Sequence, residues 1–183
     1  MSSTAATLTA ALVVATVGCS DTTARTQPHV VIQETLGPHE VALPSDTHTS
    51  GHFAVRLLLG RCGITFLTGT HAEFEPKNPL CRIRERVEST DAAYHDFSTS
   101  KQRLVLADGT AVAPSIDAMQ IKRQPDAVTV GGHDVVEIDV YFEVPPAQQP
   151  RALRFYGDTD TGKSVTPPGP PSIDLPLGSL ANN

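Results

Sequence analysis

Tryptophan is absent, and only 5% of the residues are aromatic. Packing with so few aromatics needs good aliphatic contacts, which Val, Leu and Ile supply. No apolar run reaches the roughly 18–20 residues that a membrane-spanning helix needs. Basic residues are also scarce. Lys plus Arg is 14 against 20 Asp plus Glu, a net charge of −6. That is no field for a nucleic acid, whose phosphates require a basic surface. Two methionines, Met1 and Met119, are too few for a methionine-type copper carrier. Gly and Pro are plentiful instead, at 13 and 15, more than a compact helical protein carries. The 183 residues suit one domain with flanks rather than two domains.

Charge is unevenly distributed. Residues 52–157 hold twelve bases and thirteen acids, whereas residues 1–51 hold one base and four acids. Residues 158–183 hold one base and three acids, with five Pro and three Gly. The expected organisation is a charge-balanced folded domain over 52–157 between a linker, 20–51, and an extended Pro/Gly-rich tail, 158–183. Val30-Val31-Ile32 is a possible short strand within the linker. Ile173, Leu175 and Leu177 are apolar enough to lie back on the folded domain.

Residues 1–19 read as an export signal. Thr7 to Gly18 is uncharged, small and apolar, the size of a signal h-region. It ends in Val17-Gly18-Cys19-Ser20, which resembles a bacterial lipoprotein box. Small residues there fit the peptidase, and the thiol receives a diacylglyceryl group. Thr16 stands where Leu is usual, and the first basic residue is Arg25. The competing reading is a buried helix or a disordered start. Acylation would anchor the chain to a membrane at Cys19, because each buried CH₂ contributes roughly 0.8 kcal/mol. An exported chain meets oxidising conditions, so Cys62 and Cys81 are expected to pair. Closing that loop is worth about 3 kcal/mol. A metal site is the alternative for these thiols, but no second Cys or His lies at ligand spacing.

The middle reads as β throughout. Phe53, Val55, Leu57 and Leu59 alternate, and Cys62, Ile64 and Phe66 resume the period after a bend at Gly60-Arg61. Cys81, Ile83 and Val87 alternate against Arg82, Arg84 and Arg86, with Glu85 interrupting the apolar row. Lys101 to Leu106 is a short strand ending in the turn Asp108-Gly109, followed by Thr110 to Val112. Met119 to Lys122 and Ala127 to Val130 are weaker strands. From Asp134 to Val144, Val136, Ile138, Val140, Phe142 and Val144 alternate with Glu137, Asp139, Tyr141 and Glu143. Arg151 to Tyr156 closes the series. About seven short strands without a long amphipathic helix predict an antiparallel β-sandwich.

Several segments recur together: Phe53-Ala54-Val55, Cys62-Gly63, Glu75 to Ile83, Val87-Glu88-Ser89, Lys101 to Gly109, and Val140 to Pro145. In these the chain resembles the immunoglobulin-like extracellular domains of actinobacterial lipoproteins and secreted antigens, related to the mycobacterial immunoprotective extracellular protein. Ser89 stands where that family usually has Asn. The resemblance implies an all-β, immunoglobulin-like sandwich of seven to eight strands, an exported location and no established catalysis. It carries over no functional residues.

Chemical motifs are thin. Gly157 to Ser164 matches the phosphate-loop pattern GxxxxGK[ST]. Pro167 and Pro168 then forbid the helix whose amides would hold phosphate, and Asp158 and Asp160 repel it. No nucleotide is expected. His48 and His52 have metal spacing only on a helix, which Gly51 disfavours. Tyr94-His95-Asp96 places a His beside an acid without a marked nucleophile. The sequence thus nominates no catalytic residue, no cofactor and no metal ligand set.

Arg82, Arg84 and Arg86 form a basic row on one strand face, roughly 6.8 Å apart. They are expected to pair across strands with acids such as Glu137 or Asp139. The alternative role is contact with an anionic wall polymer or an envelope protein. The function expected is a lipid-anchored envelope lipoprotein whose sandwich serves binding or adhesion. A small-ligand carrier or an enzyme accessory or inhibitor are the alternatives.

Overall fold

From 81 to 87 the inward-facing Cys81, Ile83, Glu85 and Val87 alternate with three arginines, and that alternation builds the strand that lies between Phe53–Ile64 and Val135–Glu143 in the sheet. The computed structural model describes residues 35–157, 172–178 and 180. The strands in chain order begin with β1 (Val41–Ala42), β2 (His48–Ser50), β3 (Phe53–Ile64), β4 (Leu67–Thr68), β5 (Glu73–Phe74), β6 (Leu80–Ser89) and β7 (His95–Ser98). A single 3₁₀ turn, Thr99–Lys101, leads to β8 (Arg103–Leu106) and β9 (Ala111–Val112). Helix α1 (Ile116–Ile121) precedes β10 (Ala127–Val130), β11 (Val135–Glu143), β12 (Pro150–Tyr156) and β13 (Ser172–Pro176). Among the described residues the fold is all-β apart from α1 and the 3₁₀ turn.

All described pairings are antiparallel. One sheet runs β3–β6–β11, with β1 and β2 both on the free side of β3. A second runs β13–β12–β8–β9, and β7–β10 and β4–β5 form two ribbons. On β11, Val136, Ile138, Val140 and Phe142 stand opposite Val87, Glu85, Ile83 and Cys81 of β6. That apolar face joins Leu104, Leu106, Leu153 and Phe155 of the second sheet in one core. Phe97 of β7 links them. Its ring meets Phe53 edge-on at 5.5 Å and stacks on Phe155 at 5.5 Å. Cys62 of β3 and Cys81 of β6 are disulfide-bonded, as expected.

Four differences from the sequence reading have physical causes. First, β3 continues through Gly60-Arg61 as one strand, with register irregularities between Leu57 and Leu59 and between Arg61 and Ile64. A bulge between Leu57 and Leu59 shifts the register, so Leu57 opposes Glu85 inside while Leu59 opposes Arg84 on the other face. Second, the 20–51 linker is partly strand. β1 and β2 carry no alternation of their own, yet β3 offers a free edge for them, and Leu43 enters the core. Third, Met119 begins no strand. Ala118 and Met119 are buried on α1, where Ala, Met and Gln favour a helix. Fourth, the 158–183 tail is not all extended coil: Ile173, Leu175 and Leu177 lie back on the folded domain as expected, but they do so as a paired strand, β13, and Leu180 joins Leu175 and Leu177 in the core. A Cβ on Gly60 would meet Leu180 Cδ2 at 2.6 Å, so Leu180 occupies the room that this glycine leaves. Cys19 and the 1–19 signal, Val30-Val31-Ile32, and residues 158–164 of the phosphate-loop pattern lie outside the described residues. Gly157, the first residue of that pattern, is buried and its amide donates to Ser50 Oγ at 3.2 Å.

Candidate functional site

Three loops converge where β3 begins, β6 ends and β10 turns into β11. The sharp turn at Gly51 delivers His52 immediately before β3. Thr90 then holds that turn, because its amide and its hydroxyl both donate to the His52 carbonyl, at 2.9 and 3.0 Å. Asp91 follows. Its Oδ1 accepts from the Ala93 amide at 2.8 Å, a local Asx turn that fixes the carboxylate. The backbone carbonyl of Asp91 accepts from the His133 amide at 3.0 Å, tying the loop to the β10–β11 connection. Gly132 in that connection lies against the Ala92 backbone with no space for a Cβ.

His95 opens β7, and its ring nitrogen Nε2 reaches Asp91 Oδ1 and Oδ2 at 2.8 and 2.9 Å. His52 Nδ1 reaches Asp91 Oδ2 at 3.2 Å. The two imidazoles stack with centroids 3.8 Å apart and planes 9° apart. Beneath them, the Phe53 ring meets His95 at 6.1 Å and 82°. The cluster therefore caps one end of the aromatic core while opening outward. Side-chain exposure is 14% for His95, 37% for His52 and 45% for Asp91. The Ala93 amide, followed by the His95 and His52 rings, holds the Asp91 carboxyl down at about 2. One donor atom from each of His52, Asp91 and His95 falls within 4.8 Å of the others. Two imidazoles and a carboxylate can hold a proton between them or a divalent cation.

No local spacing in the sequence announces this cluster, since its members come from three segments. His48, considered with His52 for a metal, instead opposes Val55 on β2. His95 was visible only as a neighbour of Asp96, whose carboxylate accepts from Thr129 Oγ1 at 2.6 Å. The one sequence signal available was positional: both histidines stand at the start of a strand that buries a Phe.

The arginine row lies on the outer face of β6 and is paired there. Arg84 donates twice to Asp139, through Nε and Nη2, each at 2.9 Å. Arg86 Nη1 is 3.8 Å from Glu137. Arg82 donates to Glu40, and its Nε lies 3.9 Å from Asp139. Burial opposes ionisation of Glu40, but the Gly37 amide and Arg82 together keep its carboxyl below the ordinary range. The cross-strand partners expected from the sequence are thus present, and Glu40 joins them.

Glu85 is the other unusual group. It is fully buried between Leu57 and Ile138, and among the described residues neither carboxylate oxygen has a hydrogen-bond partner. Burial alone pushes its carboxyl up to about 8. Two small clefts are also present. One, of about 180 Å³, lies by Cys81 and Pro145; the other, of about 200 Å³, lies between Thr99 and Met119. Each is smaller than the several hundred Å³ typical of a small-molecule pocket.

No protein-family model matches this chain, and no curated protein matches it. Among solved structures, the chain is similar to the yjhA protein from Bacillus subtilis, at 16% identity and a TM-score of 0.49, covering 69% of this chain and 90% of that one.

Proposed function

We propose that this chain is an exported lipoprotein, anchored through Cys19, whose immunoglobulin-like β-sandwich serves as a non-catalytic binding or adhesion module of the cell envelope. The observation that carries this reading is the Cys62–Cys81 disulfide joining β3 to β6. Structural disulfides belong to oxidising compartments. With those two thiols bonded to each other, Cys19 is the one cysteine left for acylation. The signal-like residues before it supply the export route. The partner class in this reading is an envelope protein or an anionic wall polymer. Arg84 and Arg86 would face it, keeping 35% and 41% side-chain exposure while bonded within the sheet.

The test is mass spectrometry of the native N-terminal peptide, with fractionation of cells carrying the wild-type chain or Cys19→Ser. The reading requires a diacylglyceryl-modified Cys19 in the membrane fraction and release of the Ser variant. An unmodified Cys19, or a wild-type chain recovered entirely in the soluble fraction, would remove the anchor from the proposal.

A further inference from the structure

We infer that His52, Asp91 and His95 form a binding site for one divalent transition-metal ion of the zinc type, built where the β2–β3 turn meets the β6–β7 loop. The inference does not depend on the envelope reading. It rests on three donors of the appropriate chemistry converging within 4.8 Å and on how each is held.

Imidazole nitrogen and carboxylate oxygen are the borderline donors that zinc, nickel, copper and cobalt share. Three such ligands with a fourth position open to water are a familiar zinc set. The open position exists here because Asp91 and His52 both face solvent in part. Preorganisation is the stronger argument. Thr90 clamps the His52 backbone, and the Ala93 amide orients the Asp91 carboxylate. The Phe53 edge supports the His95 ring. None of these contacts uses the nitrogen lone pairs a metal would take, so binding leaves them in place. Such supporting contacts are what set affinity once the ligands are chosen.

The geometry also states what must move. Zinc lies about 2.0–2.1 Å from each imidazole nitrogen, which puts tetrahedral donors about 3.3 Å apart. Two rings stacked with planes 9° apart cannot both aim their in-plane lone pairs at one ion. One ring must therefore turn about its Cβ–Cγ bond. His52 is the one with room, being 37% exposed, while His95 is packed beneath it. Binding replaces the two N–H donors now facing Asp91 with a shared cation. His52 Nδ1 and His95 Nε2 become the ligand atoms: a neutral ring moves its one proton, through water, to its other nitrogen, and a doubly protonated ring releases one proton to water.

The experiment is isothermal titration of the purified full chain with Zn²⁺, alongside Asp91→Asn, His95→Asn and the control His71→Ala. Long-range ¹H–¹⁵N spectra of the imidazoles locate the ion. The expected result is one Zn²⁺ per chain, with metal-dependent shifts at His52 Nδ1 and His95 Nε2 and not at His48 or His71. Asp91→Asn and His95→Asn should each lower affinity by at least about tenfold, while His71→Ala leaves it unchanged. Asp91 is partly exposed, so its variant keeps the test informative if His95→Asn unfolds. No uptake by the wild-type chain, or uptake that Asp91→Asn leaves intact, would overturn the site.

Discussion

Replacing Glu85 by Gln preserves the shape of the side chain and removes its charge. The carboxyl is fully buried without a hydrogen-bond partner among the described residues, and burial pushes it from the ordinary 4.5 up to about 8. In the unfolded chain it ionises near 4.5. Between 4.5 and about 8 the folded protein therefore holds a proton that the unfolded chain has lost, and stability falls as pH rises. The contribution is complete below 4.5 and gone above about 8. At roughly 1.4 kcal/mol per pH unit, that interval amounts to about 5 kcal/mol. This is a large fraction of the 5–15 kcal/mol by which domains are stable. The Gln variant lacks the term. Urea unfolding of both proteins at several pH values isolates it, because every other titrating group is common to the two. The variant should match wild type within about 1 kcal/mol near pH 4.5 and exceed it by several kcal/mol near pH 8. Parallel stability curves would refute the reasoning, since they would mean that Glu85 is ionised and solvated in the folded state.

Three further outcomes follow from described contacts. Gly132→Ala places a methyl against the Ala92 backbone, and should lower stability by about 1–3 kcal/mol in urea unfolding while weakening Zn²⁺ uptake through a displaced Asp91. Replacing Cys62 and Cys81 together by Ser removes a crosslink closing 19 residues; calorimetry should show a loss of about 3 kcal/mol. Arg86→Ser removes a long, exposed pair, so the urea midpoint should stay within about 1 kcal/mol of wild type. Its retention on isolated cell wall should nevertheless fall if the row meets an anionic polymer.

The long strands were legible because both of their faces leave a mark. β11 alternates Val, Ile and Phe with acids, and β6 alternates with arginines, so period two reveals strand and register together. Glu85 was visible as the misfit on β6, and the structure keeps it inside because its neighbours on that row have no other face to turn to. The short elements were not legible. β7 has one buried aromatic, Phe97, among polar residues, and becomes a strand only by pairing with β10. The bulge at Leu58 was hidden because Leu57, Leu58 and Leu59 suit either phase. His52, Asp91 and His95 share no spacing. Their meeting depends on loop lengths and on the tight approach of Gly132, which no periodicity encodes.

The return of residues 172–176 onto β12 also governs how the molecule meets its own copies. A terminal strand of a sheet carries a row of unused amides and carbonyls that any compatible chain can adopt. β13 fills that row along Ala152 to Tyr156, and Arg154 fastens it through Asp174 at 2.7 and 2.9 Å. Loss of residues 172–176 would bare the amides and carbonyls of β12 that β13 now occupies, and with them the strand that carries Leu153 and Phe155 of the core.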